Sequence, residues 1–416
     1  MIASRRMLDP VQVRSSALLK VAPMARRLLR RLAGLAAVGL VLAAAPKAIA
    51  ERAAVNLPTP PTGDAPIVGA YYYPWYAVAP QSAAEGWKSV MRRRLAPSQQ
   101  PALGFYQSDD AATVAEHLRQ SRQAGLAFWA VSWWGPDSTT DKVFLQALLP
   151  HDDAAEFRFA VLYESTGRLG SFDRPRYDNW STDLAYLAKH YFGRPNYLRI
   201  AGRPVVFVYL SREYFRNQGD AALTAGRALV PEVYLVGDDV FGPDYRREWA
   251  RQFDAVTAYD VYGQSTGLHG STRRAVDALA ANYAAARETA NAADAAFIPA
   301  VAPGYNDAAV RSGHQGSPRY FVDVPGSREG DLFRAMIRNA ALPNLDDRAG
   351  RLMMVTSFNE WYEDTQIEAT AGGAPATSAD DSESGRMLTG GDRYEDYGTL
   401  FLDILRETAG GASPAR

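Results

Sequence analysis

Two glutamates three residues apart, Glu360 and Glu363, stand in the segment TSFNEWYEDTQIE (residues 356–368), at and just past the end of an apolar strand-like run, Leu352–Ser357. Two carboxyl groups on opposite sides of one bond can cleave an acetal. One protonates the leaving oxygen, and the other assists at the anomeric carbon or its neighbour. Glutamates at this spacing are common on protein surfaces. What singles out this pair is its place where a strand ends, so that the chain turns and both side chains can face one mouth. Trp361 lies between them, an apolar neighbour able to desolvate a carboxyl group and raise its proton affinity. Acids and aromatics recur at other strand-like ends: YYYPWY (71–76), SWWGPD (132–137), YES (163–165), GDD (237–239), AYDVYG (258–263) and APGYND (302–307). Aromatic rings beside carboxylates suit a groove that stacks on the apolar faces of sugars. Candidate groove residues are therefore Tyr73, Trp75, Trp134, Glu164, Tyr259 and Tyr305, with Asn359 and Trp361 from the last segment. Asp238, Asp239, His269 and His314 lie near the same ends and are further candidates for touching a substrate.

The elements that must position these residues follow a rhythm. Eight runs read as strands: Ile67–Tyr73, Ala127–Trp133, Phe157–Tyr163, Pro204–Tyr209, Val233–Val236, Ala255–Tyr259, Phe297–Val301 and Leu352–Ser357. Between them the apolar spacing predicts helices over Ala111–Ala124, Thr182–Tyr191, Ala221–Leu229, Arg273–Ala290 and Gly330–Asn339. Alternating strands and helices imply a parallel sheet covered on both faces, and eight units favour closure into a barrel over an open sheet. The expected fold is α/β, a single (β/α)₈ barrel over residues 66–408. Its active-site loops then lie at the C-terminal ends of the strands, where the acids and aromatics fall. The Gly/Ser/Ala-rich stretch 370–392 reads as a loop on that side, a candidate lid, and Tyr394–Thr408 as a closing helix.

The first 50 residues differ in kind. They hold nine basic residues and one acid, Asp9, and four arginines precede an apolar run, Leu32–Ala45, and a small-residue site at Ala48-Ile49-Ala50. This is the pattern of an export signal, with Met24 as an alternative start and an uncleaved anchor as the alternative fate. Residues 51–65 read as a linker and 409–416 as a tail. Without the leader the formal charge falls from −1 to −9, which disfavours nucleic acid and anionic membranes and suits a neutral glycan partner. The chain has no cysteine, which excludes disulfides, thiolate catalysis and cysteine-ligated metals. Five scattered histidines show no ligand spacing, and His117, on a predicted helix, reads as packed. No metal and no cofactor is expected, and a monomer in the periplasm or outside the cell is.

The segment 356–368 resembles the signature of glycoside hydrolase family 99, the endo-α-1,2-mannosidases and mannanases. Ala70–Tyr76 is similar to that family's first strand, Ala124–Pro136 to its second, Tyr163-Glu164 to its strand-three glutamate and Ala302–Asn306 to its strand-seven turn. The resemblance spans residues 66–405. It implies a retaining, endo-acting hydrolase of internal α-linkages in a mannan-like or related polysaccharide. In that mechanism one glutamate deprotonates the sugar's own 2-hydroxyl, which closes a 1,2-anhydro sugar, while the other acts as acid and then base. Carried over, Glu360 is the base and Glu363 the acid/base. Glu164 hydrogen-bonds the reacting sugar, Trp134 lines the neighbouring subsite and Tyr259 approaches the ring. Two departures stand out. Tyr362-Glu363-Asp364 replaces the family's His-Glu-Gly, and Ser165 follows Glu164 in place of proline. The glycine-to-aspartate change puts a charged side chain where a positive φ angle favours glycine. Two alternatives remain open at this level: a non-hydrolytic glycan-binding relative, and a barrel acting on α-1,3-glucans.

Overall fold

The computed structural model describes residues 52–59, 63–76, 86–216, 218–374, 380–381 and 386–408. The leader and tail expected from the sequence lie outside them. Eight parallel strands form the centre: β1 (Ile67–Tyr72), β2 (Leu126–Trp133), β3 (Arg158–Tyr163), β4 (Arg203–Val208), β5 (Tyr234–Asp238), β6 (Ala255–Thr257), β7 in two pieces (Ala296–Ile298 and Ala300–Val301) and β8 (Leu352–Val355). Each pairs with the next, and β8 returns to β1 with Ile67 opposite Leu352. The eight expected runs are these eight strands. β7 is split because Pro299 has no N–H to give the ladder. Its first piece pairs with β6 and its second with β8. The Pro299 carbonyl still accepts from the Met354 N–H at 2.9 Å, which carries the ladder across the gap.

The helices are α1 (Ala111–Ala124), α2 (Trp180–His190), α3 (Asp220–Leu229), α4 (Arg273–Asn291), α5 (Asp331–Ala335, running on as a wider turn through Met336–Ala341) and α6 (Leu400–Thr408). α1 shows why the sequence reads cleanly. Asp110 accepts from the Thr113 N–H at its start, and Gly125 ends it at φ 80. Between them Val114, Leu118 and Ser121 bury one face. α6 is shorter than expected. Tyr394 and Tyr397 precede it and turn inward, where the Tyr397 hydroxyl donates to the Glu368 carbonyl at 2.8 Å.

Aromatic side chains fill the barrel. Phe128 and Phe207 stack at 6.2 Å, and Tyr71 meets Phe207 edge-on at 6.0 Å. Gly69 makes room for Phe128, since a Cβ there would lie 2.1 Å from the ring. The segment expected to be a linker is instead partly docked. Val55 bridges to Ile200, the Ala53 N–H donates to the Asp347 carbonyl at 2.8 Å, and Asn56 Nδ2 donates to the Tyr197 carbonyl at 2.8 Å. Val55 and Leu57 pack on the core. Two apolar residues in a Pro- and Thr-rich stretch make too weak a local signal to foretell this. The segment crosses the N-terminal ends of the strands and leaves the opposite end, with the acids and aromatics, open.

Gly69→Ala is expected to force the Phe128 ring out of place, at a cost of about 1–3 kcal/mol. Thermal unfolding followed by circular dichroism should show a melting temperature lowered by a few degrees. An unchanged value would mean that the ring is not confined.

Candidate active site

The loop after β8 is a self-contained frame. The Glu360 N–H donates to Ser357 Oγ at 2.7 Å, and the Tyr362 N–H donates to Glu360 Oε1 at 3.0 Å. Asn359 ties this loop to the end of β1: its Oδ1 accepts from the Tyr73 N–H at 2.7 Å, and its Nδ2 donates to the Tyr73 carbonyl at 3.1 Å. Both Glu360 and Asn359 are buried. Trp361 turns away from the mouth and donates through Nε1 to Glu368 Oε2 at 2.8 Å. Glu368 also accepts from Tyr106 and meets His117 Nε2 at 3.1 Å. Asn359 and Trp361 thus do not line the groove. They are brackets behind it, because their polar atoms are used up by the scaffold. His117 is packed, as its place on α1 suggested.

The carboxyl groups differ in their surroundings. Burial raises the proton affinity of Glu360 well above that of an ordinary carboxyl, and the nearby Glu363 charge raises it further. Among the described residues no arginine hydrogen-bonds to it, and the Arg311 charge only partly offsets the rise. Glu363 is also raised by burial, but Arg311 opposes this, donating from Nη1 to Glu363 Oε1 at 3.0 Å. Arg311 shares the same nitrogen with Asp307 at 2.6 Å. The Tyr259 hydroxyl lies 3.4 Å from Glu363 Oε2 and accepts from the Tyr73 hydroxyl at 2.6 Å. The third acid, Glu164, is buried at the end of β3 and accepts from Ser132 Oγ at 2.7 Å. Burial pushes it up to about 8, with the Ser132 hydrogen bond opposing and the Glu363 and Asp238 charges adding. The protonated form of Glu164 is therefore favoured at neutral pH, and that form can donate a hydrogen bond.

Aromatic rings flank the acids. On one side Trp134 is 38% exposed, with Trp75 at 6.4 Å. Trp75 in turn meets Tyr73 at 4.5 Å and Tyr362 at 6.2 Å. Gly167 lies under the Trp134 ring, where a Cβ would come within 2.4 Å. On the other side Tyr262 and Tyr305 stack at 4.2 Å. A cavity of about 280 Å³ opens there, lined by Tyr209, Tyr259, Tyr305, Arg311, His314 and Glu363 among others. Of the expected residues, Glu360, Glu363, Glu164, Tyr73, Trp75, Trp134, Tyr259 and Tyr305 come together at this mouth, with Tyr73 buried behind Tyr259. Asp238 is not at the surface of the site. It accepts from the Tyr259 N–H at 2.7 Å and from Arg212 at 3.0 Å, and so aims Tyr259. Asp239 is paired with Arg216. His314 lines the cavity beside Asp307, and His269 does not. Arg311 was invisible in the sequence, since nothing around it marks a loop arginine as facing an acid 52 positions away.

Asp364, next to Glu363, has φ 51 and is buried. The left-handed backbone costs an aspartate about 1 kcal/mol relative to glycine. Its carboxylate is gripped by Arg92 and accepts from Arg319 Nη2 at 3.1 Å and Gln366 Nε2 at 3.2 Å. Arg319 also donates to the Asp364 carbonyl at 2.8 Å and the Gln366 carbonyl at 3.0 Å. Glu329 lies 3.6 Å from Arg92, so two buried arginines face two buried acids. Among the described residues, no group of three His, Cys, Asp or Glu side chains is arranged to hold a metal, and no helix is long and apolar enough to cross a membrane.

The sequence profile of glycosyl hydrolase family 99 matches residues 67–379. Glycoprotein endo-alpha-1,2-mannosidase of Xenopus laevis is 23% identical over 324 residues, 74% of this chain and 64% of that protein. The protein of the same name in Mus musculus is 24% identical over 284 residues, 64% and 56% of the two chains. The chain thus spans about three fifths of the length of these curated relatives. The solved GH99 endo-alpha-mannosidase of Bacteroides thetaiotaomicron superposes with a TM-score of 0.58 at 20% identity, covering 84% of this chain and 99% of that one. At that identity the likeness speaks for the fold.

Asp364→Ala should leave Arg92 and Arg319 partly unpaired in the interior and cost about 3–5 kcal/mol. Asp364→Gly should cost about 1 kcal/mol less, because it relieves the backbone. Denaturant unfolding of the two variants measures both, and equal values would contradict the strain. Glu164 gives a pH signature. In the unfolded chain it ionises near 4.5 and in the fold near 8, so the fold holds a proton that the unfolded chain has lost, and this contribution to stability declines as pH rises between those values. Glu164→Gln should remove that decline, which melting temperatures across the range would show.

Proposed function

This chain belongs to glycosyl hydrolase family 99, and from that premise we propose that it is a retaining endo-acting glycoside hydrolase that cleaves internal α-linkages of a mannan-like or related polysaccharide. The observation that carries this reading is the pair Glu360 and Glu363, coupled at the open end of the barrel between two aromatic walls. A glycan laid across the mouth would place ring faces on Trp134 and on the Tyr262–Tyr305 stack, with the scissile bond over the acids.

The chemistry we infer uses the substrate's own 2-hydroxyl. Glu360 takes the 2-hydroxyl proton as O2 attacks the anomeric carbon. Glu363 gives its proton to the leaving glycosidic oxygen as that bond breaks. The product of this step is a 1,2-anhydro sugar. Water then opens it, with Glu363 accepting the water's proton and Glu360 returning its own to O2, so stereochemistry is retained. Glu164, protonated, donates to a hydroxyl of the reacting sugar, and Tyr259 crowds the ring. In the free site a proton shared by the two acids favours Glu360, because burial raises Glu360 well above the ordinary carboxyl range while Arg311 opposes the rise at Glu363. The reaction needs it on Glu363. A bound sugar whose 2-hydroxyl donates to Glu360 favours the ionised form there. Arg311, half exposed and already bonded to Asp307, can give up Glu363 without losing its other partner. Substrate binding would thus move the proton between the acids.

Tyr362 supports the wall rather than the proton chemistry. Its ring stacks on Tyr76 at 5.5 Å and its hydroxyl donates to the Gly86 carbonyl at 2.5 Å. We also read the protein as exported, on the pattern of its first 50 residues, and as a monomer. Amino-terminal sequencing of the secreted form would test the leader.

Purified protein and its Glu363→Gln variant, incubated with α-mannans, α-glucans and bacterial exopolysaccharides, should differ. Mass spectrometry should find oligosaccharides only with the native protein, and kcat should fall by about 10³-fold or more in the variant. Binding without turnover by both would favour a glycan-binding role instead. Arg311→Gln should raise the proton affinity of Glu363 and move the alkaline limb of kcat/KM to higher pH by roughly one unit. A limb that stays in place would show that Arg311 does not govern the acid.

A further inference from the structure

A second cavity, of about 300 Å³, opens beside the first, and Gly263 borders both. Its walls come from the segment after β5, the turn after β6 and one side of α4. Phe241, Tyr245 and Trp249 form an apolar floor, with edge-to-face ring contacts at 4.8 and 5.9 Å. Leu268 stands on the rim, 68% exposed. Arg216, anchored by Asp239, lies 3.9 Å from the centre of the Trp249 ring and braces it. Its Nε is buried with no hydrogen-bond partner among the described residues. The Asn282 amide borders the cavity and bonds to none of them.

None of these groups takes part in the chemistry at Glu360 and Glu363; Phe241 also packs in the core on Phe297 at 5.2 Å, whereas Trp249 and Leu268 lie outside it. An aromatic floor with an amide at its edge is suited to a pyranose, whose C–H face packs on a ring while its hydroxyls bond to the amide. The junction is built to stay narrow and fixed. The Gly263 N–H donates to Asp260 Oδ1 at 2.6 Å, and a Cβ at Gly263 would come within 2.2 Å of that carboxylate. Asp260 itself lines the first cavity. The two cavities thus adjoin at Gly263, the point where one chain of sugars would pass from the first into the second.

We propose that this cavity is a distal subsite for the same glycan, holding a pyranose unit away from the scissile bond and so favouring long chains over short ones. The proposal rests on reading the Glu360/Glu363 site as a glycosidase. Its test uses size-fractionated α-mannan and α-glucan oligosaccharides, the native protein, and Trp249→Ala and Trp249→Phe variants. Trp249→Ala should lower kcat/KM on the longest fractions by about tenfold, leave the shortest cleavable ones unchanged, and be largely restored by Trp249→Phe. Equal loss at every length would mean that Trp249 is only structural, and no loss at any length that no sugar reaches it. Either result overturns the subsite and leaves the glycosidase reading standing. A native protein that cleaves nothing removes that reading instead. The subsite is then tested by titrating the same fractions into Glu363→Gln with and without Trp249→Ala. Length-dependent binding that requires Trp249 supports it, and its absence overturns it.

Discussion

The geometry of the mouth depends on one buried electrostatic contact, the grip of Arg92 and Arg319 on Asp364. The chain must reverse just after Glu363 for that side chain to look into the barrel, and the reversal needs a left-handed residue. Glycine would adopt it freely. An aspartate stays there because two arginines, fully buried, hold its carboxylate. Those arginines come from opposite directions in the chain, and Glu329 balances the remaining charge. Buried charges are costly unless each is paired. The cluster is therefore all or nothing, and it makes the β8 loop a rigid platform.

On that platform two carboxyl groups of one residue type acquire different characters. Glu360 sees backbone and burial, while Glu363 sees Arg311 and part of the solvent. Glu164, with no cation bonded to it among the described residues, is raised by burial to about 8. Three glutamates in one mouth thus span a range of proton affinities set by solvent access and one arginine. Tyr259 links them mechanically. It is held from behind by Asp238 and Tyr73, so the β1, β5 and β6 ends all converge on the carboxylate of β8.

Much of this was legible residue by residue. The eight strand runs were visible because buried parallel strands are continuously apolar, and α1 because its cap, apolar stripe and terminal glycine fall within sixteen residues. The seventh strand was read as one piece, which it is in direction, but Pro299 divides its pairing. The linker reading failed at Val55 and Leu57 because docking depends on what lies across the barrel's base. Asn359 and Trp361 were drawn toward the groove by their positions on either side of Glu360, and the fold used them as brackets.

By itself, then, the sequence determined the barrel, the end of it where acids and aromatics gather, and the family. Each of these rests on local order: periodicity within an element, or a motif within a dozen residues. Only the tertiary structure decided which side chains face the mouth and what charges they carry there. Arg92 meets Asp364 across 272 positions and Asn359 meets Tyr73 across 286. No local pattern encodes such meetings. They arise because closing the barrel brings β1 beside β8, and the cost of burying unpaired polar groups then selects which partners join.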